Sequence, residues 1–108
     1  QGLDLALNHK IVTLLIAVVV QLSAHPKVPH VEQRLSAGCA AQSILLAAEA
    51  CGYAGIWRTG GAAFDDNVHR ALGAKDNEEI IGFLYIGTRD GKAKPLPERE
   101  PRHFVSEW

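Results

Sequence analysis

The stretch Val31 to Gly61, VEQRLSAGCAAQSILLAAEACGYAGIWRTGG, constrains this chain more than any other. Apolar or small residues recur at Leu35, Cys39, Leu45 or Leu46, Ala48 and Cys51 at helical spacing, with Gln42 the polar exception, and Gly52 supplies a left-handed stop. The pattern predicts one long helix of roughly five turns. Its flanks carry Ser36, Ala37, Gly38, Ala40, Ala41, Ala47, Ala48 and Ala50, small enough for another backbone to approach closely. Two outcomes stand open, packing within the subunit and a helix-mediated dimer core.

Around this helix the chain reads as a set of strands. Ile11 to Leu22, IVTLLIAVVVQL, is the most apolar run, too short for a membrane span, which needs about twenty residues. Its β-branched residues Ile11, Val12, Thr13, Ile16 and Val18 favour a buried strand, expected at the centre of a sheet covered on both faces. His25-Pro26-Lys27-Val28-Pro29 is a stiff connector. Tyr53 to Thr59 suits a short strand before a turn at Gly60-Gly61, and Asp65-Asp66-Asn67 offers cap chemistry for a short helix, VHRAL, closed by Gly73. Asp76-Asn77 makes a turn into Ile80 to Gly87, IIGFLYIG, a second buried strand with Gly82 inside it. Gln1 to Asn8 is undecided between loop and helix end.

From Gly91 the character changes. GKAKPLPEREPR holds three prolines and six charges and cannot join a core, and His103 to Trp108 then brings two aromatics to the terminus. Such an arm is expected to dock on its own subunit or on a neighbour.

Composition narrows the function classes. A net charge of -1 with basic residues scattered from Lys10 to Arg102 gives no nucleic-acid footprint. Cys39 and Cys51 stand twelve residues apart on one helical pattern, about 18 Å along the axis, so they cannot bridge each other. They are expected to be small buried hydrophobes in a reducing, cytoplasmic compartment. Histidines 9, 25, 30, 69 and 103 lack metal-ligand spacing, and no metal is expected. Glu32 and Glu49 lie too far apart for paired acid and base work. The chain opens Gln1-Gly2-Leu3 and contains no methionine, which reads as a piece of a longer chain or one whose leader was removed.

Chemistry concentrates at Trp57-Arg58-Thr59-Gly60, where an aromatic, a permanent cation, a hydroxyl and a glycine are consecutive. Trp57 suits a core position. Arg58 needs an anionic or carbonyl partner if it points inward, and with Thr59 it could meet the edge of a flavin or nucleotide ring.

The ordered set Lys27-Val28-Pro29, Glu32-Gln33, Ser36-Ala37-Gly38-Cys39-Ala40, Leu45 to Ala48, Gly52, Gly55 to Gly60 and Ile81 to Thr88 resembles the C-terminal half of the flavin-dependent nitroreductase family, in its small bacterial subgroup with a W-R-S/T-G flavin segment. The resemblance runs from about Ile11 to Trp108. It implies an α+β fold, a central mostly antiparallel sheet flanked by helices, as a partial domain of an intertwined homodimer with FMN at each subunit interface. The long helix would lie in the dimer core and the C-terminal arm would cross the partner. Trp57, Arg58, Thr59 and Gly60 match the flavin-contacting segment; Ala47, Ala48, Glu49, Ala50, Cys51 and Gly52 match a region attributed to nicotinamide-nucleotide binding. NAD(P)H would be the reductant, nitroaromatics or quinones the acceptors, and no side chain is named as catalytic. Two departures accompany the resemblance: no counterpart of the family's arginine-rich phosphate-gripping segment precedes Gln1, and Ser43 stands where related chains often carry asparagine. The alternatives are a non-catalytic dimerisation module with weak or no flavin binding and, among enzymes, a related activity such as dehalogenation or flavin breakdown.

Overall fold

A computed structural model of the chain describes residues 12–92 and 94–108. Gln1 to Asn8 and Ile11 lie outside the described residues. Strand β1 is Val12–Gln21, helix α1 is His30–Ala50, strand β2 is Ala54–Arg58, helix α2 is Asp66–Ala71 and strand β3 is Glu78–Gly87. All pairing is antiparallel, in the order β1-β3-β2, and α1 packs across one face. The expected α+β fold with an antiparallel sheet is therefore present.

The order of strands corrects one expectation. Among the described residues β3, not β1, is central, and β1 is an edge with Leu14, Leu15 and Val19 substantially exposed. Both runs are rich in β-branched residues, so hydropathy alone ranks them alike; β3 wins the centre because it pairs on both sides. The β1–β3 register shifts between Val18, opposite Gly82, and Val19, opposite Ile80, leaving Ile81 as the extra residue of a bulge.

α1 starts after Pro29, which has no side-chain cap to offer. Gln33 compensates: its amide accepts from the Ser23 N–H and donates to the Ser23 and Val28 carbonyls, each within 3.0 Å. His25 Nδ1 accepts from the Lys27 and Val28 N–H groups, fixing the proline connector. At the other end Gly52 takes φ 87°, and Tyr53 N–H reaches back to the Ala48 carbonyl at 2.9 Å. Asp65 caps α2 through its carboxylate to the Asn67 and Val68 N–H groups, and Gly73 closes it at φ 73°. His69 Nε2 donates to the Glu78 carbonyl, tying α2 to the start of β3.

The core lies between α1 and the sheet. Ala41 and Leu84 are fully buried, with Ile86 beside them and Ile16, Val18, Ile44, Leu45, Ala48 and Trp57 packed around. Only part of the helix face read from the sequence is therefore inward: Ala41, Ile44, Leu45 and Ala48 face the sheet, whereas Leu35, Leu46, Cys39 and Cys51 are exposed. The two cysteines are free thiols at the surface of this chain, not buried hydrophobes. The cause is that apolar residues ring the helix, so spacing does not single out one face. Of the small-residue stripe, Ala41 packs within the chain, while Ser36, Ala40, Ala47 and Ala50 remain exposed.

Beyond Thr88 the arm has one 3₁₀ turn, Pro101–His103, and Leu96, Phe104, Val105 and Trp108 stand in solvent, so these residues do not dock on their own subunit. Among the described residues no helix is long and apolar enough to cross a membrane.

Candidate cofactor and nucleotide site

β2 is short, lies at the outer edge of the sheet, and ends in the residues singled out from the sequence. Alternation along a strand sends neighbours to opposite faces. Trp57, opposite Leu84, turns its indole under α1, and Arg58, opposite Phe83, belongs to the other face. Trp57 thus takes the core position open to it from the sequence. The Arg58 side chain, exposed, forms no hydrogen bond or ion pair with another described residue. Gly60 at φ 58° then turns the chain into the 3₁₀ segment Gly61–Phe64. Arg58, Thr59, Gly60, Gly61, Phe83 and Tyr85 surround an open hollow of about 330 Å³. A cation, backbone and hydroxyl donors and two aromatic rings there meet the needs of a flat ligand with an electron-rich edge.

The second expected segment sits at the opposite end of β2, about 13 Å away along the strand. Ala47, Ala48 and Cys51 line an apolar groove of about 710 Å³ with Leu14, Ile16, Ile44, Tyr53, Ile86 and Thr88. Glu49 instead pairs with Arg89 at 2.8 Å on the surface, and Ala50 and Gly52 are exposed outside the groove. The groove lies on the helix side of the sheet and the Arg58 hollow on the other, so within this chain the two segments do not form one cavity. Among the described residues no group of three or more His, Cys, Asp or Glu side chains is placed to hold a metal ion.

Sequence reasoning missed Phe83 and Tyr85 as neighbours of Arg58, and Gly82 as the seat of Trp57. A Cβ on Gly82 would overlap the indole nitrogen and lie 2.8 Å from Cδ1. Glycine in the middle of a strand is the available signal for such a close approach.

The pattern described as Nitroreductase family matches residues 4–88. The chain belongs to the nitroreductase family. Among its relatives, the Escherichia coli K12 protein named "Putative NAD(P)H nitroreductase YdjA" is 44% identical over 94 residues, covering 86% of this chain and 51% of that protein. A Haemophilus influenzae protein named "Putative NAD(P)H nitroreductase" is 37% identical over 90 residues, covering 82% and 47% respectively. The nitroreductase-like family protein from Bacillus cereus superposes with a TM-score of 0.71 at 18% identity, over 85% of this chain and 49% of that one, which shows a shared fold. This nitroreductase-family chain spans about half the length of the relatives it matches.

Proposed function

We propose that this chain is part of an FMN-dependent NAD(P)H oxidoreductase that reduces nitroaromatics or quinones as a cytoplasmic homodimer. Family membership and the NAD(P)H nitroreductase names of its relatives support an oxidoreductase; the observation that carries the flavin assignment is the Arg58 guanidinium, without a hydrogen-bond or ion-pair partner among the described residues, beside Thr59, Gly60 and two aromatic rings. Arg58 and the Thr59 and Gly60 donors suit the carbonyl-rich edge of a flavin ring, where negative charge grows on reduction. Among the described residues that line the hollow Arg58 is the one cation, so a phosphate would find its anchor outside them. Trp57 holds the strand from the core side.

Bound FMN would supply the hydride and electron transfer between NAD(P)H and the acceptor, and no acid or base side chain of this chain is assigned to the reaction. The Ala47–Gly52 segment would receive the nicotinamide nucleotide, with Ala47, Ala48 and Cys51 offering a flat apolar floor. Two exposed free thiols fit a reducing compartment. The exposed arm and the outward leucines Leu35 and Leu46 fit an intertwined dimer, in which each would find cover.

The same exposed apolar residues favour a second reading, a dimerising module that binds flavin weakly or not at all. Titration of the purified protein with FMN, followed by anaerobic addition of NADH or NADPH, separates the two. Saturable quenching of flavin fluorescence and bleaching of the visible band by the reductant support the enzyme. A dimer that takes up no FMN supports the module.

A further inference from the structure

We propose that Trp57 is a positioning residue for the Arg58–Thr59–Gly60 segment, seated against the bare backbone of Gly82 on β3. The inference rests on the reading that this segment contacts the flavin.

Among the described residues β2 is an edge strand, paired only with β3, and its last residue is Arg58. On its outer side no strand among the described residues holds it, so side-chain packing must fix how its end twists. Trp57 is the side chain that does so. Its five-membered ring lies against bare backbone, since a Cβ on Gly82 would overlap Nε1 and stand 2.8 Å from Cδ1 and 3.1 Å from Cε2. Its far ring edge, Cη2, comes within 3.8 Å of where a Gly38 Cβ would be. One indole therefore bridges sheet and helix.

The two glycines differ in tolerance. At Gly82 the space is taken, and a methyl there must push the indole aside; at Gly38 the distance is an ordinary van der Waals contact. Because successive residues face opposite ways, a change in backbone twist at the end of β2 that reseats the Trp57 indole also re-aims the Arg58 guanidinium on the other face. The bulge at Ile81 falls immediately before Gly82, so the extra local twist of a bulge comes next to where the indole is seated.

The test compares FMN affinity, by flavin fluorescence and visible circular dichroism, in Gly82→Ala, Trp57→Leu, Arg58→Ala, Gly38→Ala and the Trp57→Leu/Arg58→Ala double variant. Gly82→Ala, Trp57→Leu and Arg58→Ala are each expected to weaken binding by about tenfold or more, the cost of losing a hydrogen bond to a charged group. Gly38→Ala leaves binding unchanged. Arg58→Ala added to Trp57→Leu costs little further, because the guanidinium is already misplaced. Independent, multiplying losses would overturn the inference, as would wild-type affinity in Trp57→Leu. Should Gly82→Ala fail to fold, the Trp57 and Arg58 variants decide alone. Absence of FMN binding by the unaltered protein removes the flavin reading itself; tight binding by the unaltered protein and by Trp57→Leu alike removes only this inference.

Discussion

Arg34 forks onto Glu79, Nε to Oε1 at 2.8 Å and Nη2 to Oε2 at 2.9 Å, clipping the second turn of α1 to the first residues of β3. The hydrogen bonds from Arg34 hold the Glu79 carboxyl below its ordinary range against the opposing effect of burial, with lesser help from the charges of Arg34 and His30. A depressed carboxylate adds stability above its unfolded-state pKa and loses it as pH falls through the lowered folded value. Glu79→Gln is therefore expected to lower the denaturation midpoint slightly at neutral pH, with the difference from the unaltered protein vanishing in acid. Both side chains are near half exposed, which keeps the effect small.

Leu84 is fully buried between α1 and the sheet, and Leu84→Ala opens a cavity where there is little else to collapse. A loss of about 2–5 kcal/mol is expected by chemical denaturation.

Gly55 lies under the helix, and a Cβ there would stand 2.7 Å from Leu45 Cδ2 and 2.9 Å from Ile86 Cδ1. Both neighbours are ends of flexible side chains, so Gly55→Ala should fold with a cost of about 1–3 kcal/mol, read from the shift in urea midpoint.

Gly38 sits inside α1 with room for a methyl group. Gly38→Ala is expected to raise stability by up to about 1 kcal/mol through helix propensity, seen as a higher thermal midpoint.

Arg58 is exposed at a strand end, and its guanidinium makes no hydrogen bond or ion pair with another described residue. Arg58→Ala should therefore leave the denaturation curve within about 0.5 kcal/mol of the unaltered one, while FMN affinity falls.

Much of the local structure was legible because its signals are local. Gly52, Gly73 and Asp65 mark helix ends at their own positions, and they cap as their residue types require. Strand order was not, because two equally apolar runs compete for the centre and the choice depends on pairings such as Val20 with Glu79. The buried face of α1 was blurred for a related reason: alanine at Ala40, Ala41, Ala47 and Ala48 lets several faces pack. At the candidate site, the Trp57-Arg58-Thr59-Gly60 cluster was visible, but that its first two side chains part to opposite faces follows only once β2 is known to be a strand. Phe83, Tyr85 and Gly82 join that region through β2–β3 pairing, which no short-range pattern announces.

Chain order adds a consequence of the sheet order. The middle strand is the last of the three to be synthesised: β1 and β2 are both complete before β3 leaves the ribosome, and neither pairs with the other. Until Gly87 emerges, neither apolar ribbon has a partner strand among the described residues, and Leu14, Leu15 and Ile16 are free to meet other nascent chains. The hazard in making this protein therefore falls during translation, when a holdase chaperone that covers β1 has the most to protect.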